Sequence, residues 1–369
     1  MSLQDSSTAH RPHAIEVKTP ARLHLGMLSF GVPEVRAYGG VGVMIDRPGV
    51  HIRMTRGQAS SPMHRFPTTG PLADRAVAFA RLCVEAWQLG GDAACAIEVL
   101  RVPSSHAGLG SGTQLGLAVA AGMRQLFCSP AKAAPPGEAI RFGTSDAVEL
   151  ARAVGRGRRS CVGVYGFSSG GLIIEGGRLV PADRASENDA TRAFSPLLAS
   201  VHLPAAWRCV VFSMRDAVGL HGDAEKQAFA SLPPVPLEIS AELSRIALMD
   251  LWPAAVEGRF AEFSDALLRY GLLAGKPFEQ ASSCLPHAEA MASLLDRLQS
   301  LGVRGCGQSS WGPTVMACCG SAAAAESLVE QFAATDLARS YDAQIAHFDH
   351  QGAVVRACNA DQALATGRP

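Results

Sequence analysis

The stretch that decides the fold is His106-Ala107-Gly108-Leu109-Gly110-Ser111-Gly112-Thr113-Gln114. Its glycines and hydroxyls run directly into an apolar, Ala/Leu-rich segment that predicts a helix over Leu115 to Leu126. Ser111 reads as the N-cap, and Gly108, Gly110 and Gly112 as positions where a ligand can approach the backbone. The first-turn N–H groups and the positive end of the helix dipole then face a concavity suited to phosphate. A packing turn of the same composition is the alternative reading.

Outward from this loop the pattern is mixed α/β. Ile97 to Val102 predicts a strand that stops at Pro103. Nearer the N-terminus, a polar tail over 1–13 precedes a strand over Ile15 to Thr19, punctuated by Pro20. Ala21-Arg22-Leu23-His24-Leu25-Gly26 then resumes the alternation, placing Arg22 and His24 on one face. Gly39-Gly40-Val41-Gly42-Val43 leads into Met44-Ile45, and Val50 to Thr55 predicts a short strand. Helices are expected over Leu72 to Trp87 and Ser145 to Val154, and a β-rich segment with two Gly-Gly turns over Ser160 to Val180. The polar run Asp183 to Thr191, followed by Pro196, marks a connection between a domain of residues 14–190 and one of residues 191–369. In the second, strands are expected over Trp207 to Ser213 and Thr314 to Cys319. Helical patterns cover Ala224 to Leu232, Leu237 to Leu251, Val256 to Leu273, His287 to Leu301 and Ser321 to Phe332. This order excludes a simple helical bundle.

A chain of 369 residues with 48% hydrophobic content can bury two cores. Lys+Arg and Asp+Glu balance at 33 each, so no bulk charge favours nucleic acid or a membrane surface. The cysteines at 83, 95, 128, 161, 209, 284, 306, 318, 319 and 358 form no CxxC pair and read as buried free thiols in a reducing compartment. With no apolar signal core and no bilayer-length apolar span, a cytoplasmic location is expected.

Three further constellations carry chemistry. Gly155-Arg156-Gly157-Arg158-Arg159-Ser160 gathers guanidinium groups whose planar forks suit phosphate or carboxylate, with a basic surface turn as the alternative. Cys161 to Phe167 reads as a strand leaving it. Arg215-Asp216 and Gly219 to Lys226 follow a strand end: Asp216 could bind magnesium, orient a hydroxyl or stabilise positive charge at a sugar carbon. His221 could bind substrate or move a proton, with Glu225 one turn on, and helix capping accounts for the same residues. Finally, Gly302 to Pro313 offers Gln308, Ser309 and Ser310 as donors to substrate oxygens and Trp311 as an aromatic wall, unless it is a tight structural turn. The Ser-Gly pairs do not match a nucleophile elbow, which argues against hydrolase chemistry.

Pro20-Ala21-Arg22-Leu23-His24-Leu25-Gly26, the 106–114 loop and Gly305-Cys306-Gly307-Gln308-Ser309-Ser310-Trp311-Gly312 together resemble the ordered motifs of the GHMP kinase superfamily. With Gly157-Arg158-Arg159-Ser160, Gly163-Val164-Tyr165 and Pro313-Thr314 added, the chain more narrowly resembles the β-ribofuranosylaminobenzene 5′-phosphate synthase family within it. The likeness runs from about residue 15 to residue 350. Gly112-Thr113 stands where the kinases commonly carry Ser-Ala, which weakens an ATP reading. The resemblance implies an α/β (α+β), two-domain GHMP-kinase-like fold with the active site in the interdomain cleft. It implies joining of phosphoribosyl pyrophosphate to 4-aminobenzoate with release of pyrophosphate and carbon dioxide, in tetrahydromethanopterin biosynthesis. No redox or pyridoxal cofactor is called for, and magnesium is expected. On this reading residues 108–113 hold pyrophosphate, Arg22, His24, Arg156, Arg158, Arg159 and Ser160 bind substrate, and Gln308, Ser309 and Ser310 join them. Asp216, with metal contact as one role, forms the catalytic set with His221 and Glu225. A homodimer is compatible with this reading. A small-molecule kinase and a non-enzymatic ligand sensor are the competing functions.

Overall fold

The computed structural model describes residues 12–32, 36–57, 65–104, 107–128, 138–179, 194–215, 227–279, 287–310 and 312–358. The expected domain connection at 183–191 lies outside them. The N-terminal half runs β1 (Ala14–Ser29), β2 (Tyr38–Gly57), β3 (Thr68–Thr69), α1 (Ala73–Ala86), β4 (Ala94–Arg101), α2 (Ser111–Met123), β5 (Ala139–Ile140), α3 (Thr144–Ala153), α4 (Val162–Ser169) and β6 (Leu172–Glu175). Beyond it come β7 (Leu197–Val201), β8 (Arg208–Met214), α5 (Leu237–Arg245), α6 (Trp252–Glu257), α7 (Phe260–Gly275), α8 (Ala288–Ser300), β9 (Cys306–Gln308), β10 (Thr314–Cys319), α9 (Ala322–Ala333), β11 (Tyr341–His347) and β12 (Val354–Cys358).

The larger sheet follows the order β3-β4-β2-β1-β12-β5, with β6 added through β2 and β7 through β6. The smaller sheet is β11-β8-β10-β9, all antiparallel. Both β7 and β12 lie C-terminal to residue 191 yet hydrogen-bond into the larger sheet. β1 does not stop at Pro20. The proline coincides with a register shift between Thr19 and Ala21, where its missing N–H breaks no ladder bond, so one long strand replaces the two expected. β2 likewise absorbs the separate runs expected around Met44 and Val50. The strands β11 and β12 were not among the sequence expectations.

One apolar core lies between the larger sheet and α1 to α4, holding Ile15, Met54, Phe79, Leu117, Val164 and Phe167. A second joins the two sheets through α5 to α7, with Leu23, Val43, Trp207, Val211, Phe263 and Tyr270 in one cluster. The third fills the far face of the smaller sheet beneath α8 and α9. α2 is buried around nearly its whole circumference, as a helix apolar on every side must be.

The main departure from expectation is Cys161 to Phe167, a helix rather than a strand. A short apolar run does not distinguish a strand from a buried helix. Packing decides here: a side chain at Gly166 would meet Met44 Sδ at 2.3 Å, and one at Gly163 would meet Gln114 Nε2 at 3.3 Å, so the helix sits close on both neighbours. Its start is fixed by buried Glu175, whose Oε2 accepts the Cys161 N–H at 2.7 Å. Burial holds that carboxyl above the ordinary range. The helices expected over 237–251 and 256–273 are redivided. A π-helical segment, Ile246–Leu251, runs straight into α6, and Gly258, with φ 71°, ends it before α7.

Free thiols fit the structure, with seven of the nine described cysteines buried; Cys128 instead is exposed. No described helix is long and apolar enough to cross a membrane.

The contact of α4 with the spine gives a test of the fold. A Cβ at Gly42 would lie 2.6 Å from Val162 Cγ1 and 2.7 Å from the Leu23 carbonyl oxygen. Gly42→Ala should therefore lower stability by about 1–3 kcal/mol, read as a reduced urea midpoint at an unchanged m-value.

Candidate active site

Three chain segments meet at the hydroxyl of Ser309. Its Oγ donates to the Gly108 carbonyl at 2.8 Å and accepts the His24 N–H at 3.0 Å. The Ser310 N–H donates back to the His24 carbonyl at 3.2 Å, and Arg22 N–H to the Leu109 carbonyl at 3.0 Å. The three motifs singled out in the sequence are thus one connected structure. The expectation that Ser309 donates to substrate is corrected: it is fully buried and its hydroxyl is taken up by the protein.

The glycines of the loop also serve differently from expectation. A Cβ on Gly108 would stand 2.3 Å from the Ser309 carbonyl oxygen, and one on Gly312 2.3 Å from the Gly108 nitrogen, so these two let the loops touch. At Gly110 a Cβ would meet Arg22 Cβ and Nε at 3.1 and 3.2 Å, and at Gly112 it would meet Arg75 Nη2 at 2.5 Å. Gly110, with φ 70°, occupies the N-cap, and Ser111 is the first residue of α2, four residues before the expected start and with no cap bond from its side chain. A left-handed cap residue is what glycine alone adopts freely, which is why the cap moves back one position. The Gly110 carbonyl takes the N–H groups of both Thr113 and Gln114. Ser111 and Gly112 N–H have no backbone partner among the described residues, as the first turn of a helix requires.

The arginine triplet diverges. Arg156 lies over the Phe79 ring at 4.9 Å, Arg159 over the Phe229 ring at 5.1 Å, and Arg158 is exposed. Only Arg159 lines the cavity beside His24. Ser160 is half-buried and its Oγ accepts the Val162 N–H at 3.3 Å, at the start of α4. Thr113 is half-buried in the first turn of α2, and its Cγ2 would be 3.5 Å from a Cβ on Gly163. Arg75 on α1 is the residue that sequence reasoning missed. No local motif marks it, because only the packing of α1 on α2 carries it to the loop.

The cavity measures about 300 Å³ and is walled by β1 at His24 to Met27, by α7 and by β9. Phe229 and Phe278 line it and pack with Phe30, whose ring centroid is 5.2 and 5.3 Å from theirs. Gln308 and Ser310 reach its wall, the former donating to the Gly312 carbonyl at 3.1 Å, the latter held at φ 56°. His24 is 4% exposed, and its Nε2 has no hydrogen-bond partner among the described residues. Burial, reinforced by the positive charges of Arg22 and Arg159, pushes its imidazole down to about 3, so the ring is neutral at ordinary pH. The site therefore pairs a cationic glycine loop with an aromatic-walled cavity, joined at His24.

Asp216, His221, Glu225 and Trp311 lie outside the described residues. No group of three His, Cys, Asp or Glu side chains that could hold a metal occurs among the described residues. The magnesium contact expected at Asp216 therefore also lies outside the described residues.

Solved structures with the same architecture define the class. A homoserine kinase from Cytophaga hutchinsonii superposes with TM-score 0.58 at 17% identity, covering 96% of this chain and 99% of that one. Mevalonate pyrophosphate decarboxylase from Streptococcus pyogenes gives 0.61 at 14% identity, over 93% and 99%. The fold is GHMP-kinase-like, α/β with two sheets. No family model matches the chain. In sequence it is related to curated proteins called β-ribofuranosylphenol 5′-phosphate synthase. The Archaeoglobus fulgidus protein is 29% identical over 309 residues, 82% of this chain and 87% of that one. The protein from Methanothermobacter thermautotrophicus is 27% identical over 305 residues, 81% and 87%.

Two measurements check this geometry. Ser309→Ala leaves the Gly108 carbonyl and His24 N–H without their partner and should lower stability by about 1–3 kcal/mol. His24 binds no proton in the folded state until pH falls to about 3, whereas in the unfolded chain it does so near 6.5. The unfolded state thus binds more protons between these limits, and stability is lost as pH falls through that window. The slope should reach about 1.4 kcal/mol per pH unit from this group and vanish in His24→Asn, read from urea midpoints across pH.

Proposed function

We propose that the protein transfers a phosphoribosyl group from phosphoribosyl pyrophosphate to the ring carbon of a para-substituted benzoate, with loss of pyrophosphate and carbon dioxide. The observation that carries this reading is the cationic glycine loop placed beside an aromatic-walled cavity whose lining includes Arg159. The cavity takes one aromatic ring, and Arg159 meets the carboxylate.

As the C1–oxygen bond to pyrophosphate breaks, positive charge develops at the sugar carbon. The ring carbon bearing the carboxylate supplies the electron pair for the new carbon–carbon bond. Cleavage of the bond to the carboxylate returns a pair to the ring and releases carbon dioxide, so no proton or external electron is needed. The loop amides with Arg22 stabilise the departing diphosphate, an electrostatic contribution already in place before reaction. Asp216 is assigned to the developing cation, and His221 and Glu225 to the same catalytic set.

The relatives' name specifies a ribosylphenol, which directs the acceptor to 4-hydroxybenzoate, whereas the sequence motifs point to 4-aminobenzoate. The two acceptors differ only in the para substituent, and one assay separates them. Each is supplied with labelled carboxyl, phosphoribosyl pyrophosphate and magnesium, and labelled carbon dioxide should appear only with both substrates present. ADP formed from ATP and an alcohol panel, with no carbon dioxide released, would overturn the reading in favour of a kinase. Arg159→Ala should raise the acceptor KM about 10–150-fold, the loss of one charge-assisted contact, while the donor KM holds. Arg158→Ala, at an exposed position, should change neither KM by more than about 2-fold, as expected for surface substitutions.

A further inference from the structure

We propose that Arg75 is a further donor-binding residue, seated over the first turn of α2 by the absence of a side chain at Gly112, and that with Arg22 it selects a diphosphate over a single phosphate. The diphosphate's identity as part of phosphoribosyl pyrophosphate rests on the reading above; the anion-binding role does not.

Gly112 calls for a reason that its backbone does not supply. It lies inside α2 without the positive φ of Gly108 or Gly110. In such a place glycine is a net loss relative to alanine, because it surrenders more backbone freedom on folding. What it admits is one guanidinium: a Cβ there would stand 2.5 Å from Arg75 Nη2, 2.9 Å from Cζ and 3.4 Å from Nη1. Any other residue at 112 must displace that group.

The seated guanidinium is left with its donors open. Arg75 is half-buried, and its side chain has no hydrogen bond or ion pair among the described residues. The other arginines near the loop differ: Arg156 and Arg159 stack on phenylalanine rings. Arg22 lies against Gly110, so the turn carrying the open Ser111 and Gly112 N–H groups has a cation packed at each of these two glycines. Two full positive charges packed against one turn suit the higher charge of two linked phosphoryl groups better than that of one.

The test is calorimetric binding of inorganic pyrophosphate and of orthophosphate to the full chain. It compares the parent with Arg75→Ala, Arg75→Lys, Gly112→Ala and the Gly112→Ala/Arg75→Ala double variant. Arg75→Ala should weaken pyrophosphate binding about 10–150-fold and orthophosphate far less. Arg75→Lys should recover only part of the loss, since a point charge does not replace the fork. Gly112→Ala, which removes no charge, should weaken pyrophosphate in the parent and have no further effect in the Arg75→Ala background. Circular dichroism and urea midpoints of each variant separate this from misfolding, because alanine is the better helix former. Unchanged pyrophosphate affinity in Arg75→Ala, or a Gly112→Ala effect of equal size in both backgrounds, overturns the proposal. Parent rates of labelled carbon dioxide release in Arg75→Ala would do the same while leaving the transferase reading intact. Pyrophosphate bound through Arg75 by a protein that ribosylates neither benzoate would instead support Arg75 and overturn that reading.

Discussion

The site depends on one buried hydroxyl. Ser309 bridges the carbonyl of Gly108 and the N–H of His24, groups that belong to segments separated by more than eighty residues in the chain. Each would otherwise be a buried polar group with its hydrogen bond unmade, so the bridge joins the segments and satisfies them at once. β1 belongs to the larger sheet and Ser309 follows β9 of the smaller one, so the bond also ties the two sheets where the cavity opens. Gly108 and Gly312 are the steric counterpart of that bond, since a Cβ on either would drive the loops apart.

The glycine-rich loop is thereby built for approach by protein rather than by ligand alone. Gly108 admits a neighbouring loop, Gly110 admits Arg22 and Gly112 admits Arg75. The consequence is electrostatic. Backbone amides by themselves supply partial charges at a helix start, whereas arginines against the same turn add full ones with directional donors. A loop whose glycines had been filled would keep its helix and lose this arrangement.

The fold was legible where period and punctuation agree. The strand Thr314 to Cys319 has its observed bounds in the sequence, and α1, α3 and α9 fall within two residues of expectation. Reading failed where tertiary packing outweighs local preference. Cys161 to Phe167 has strand-like composition, yet becomes a helix because its glycines fit under Met44 and beside Gln114. β11 and β12 escaped notice because their strand character comes from pairing with β8 and β1, far back in the chain. For the site, the segments around His24, Gly108 and Ser309 stand out in the sequence because glycine clusters show locally, and the structure brings these three together. Their roles were less legible: that Ser309 is structural, that Arg156 and Arg159 face different rings, and that Arg75 belongs to the loop are facts about side-chain direction, which spacing does not encode.

The neutrality of His24 completes the electrostatic logic. A protonated imidazole between Arg22 and Arg159 would add a third positive charge to a buried position, and burial together with those two neighbours prevents it. Positive charge is thus confined to arginines that reach the loop and the cavity wall, while the ring between them stays a plain hydrogen-bonding group. Phe229, Phe278 and the leucines of α7 give the cavity apolar surface, beside which a charge is less screened than on an open polar surface. An anion entering such a place meets a stronger field than on an open surface, and an aromatic anion also gains by covering the walls. Because the cations flank the cavity instead of filling it, an aromatic ring and a phosphorylated partner can occupy adjacent compartments without competing for the same charge. On the proposed transferase reading, that separation lets two anionic molecules be held side by side.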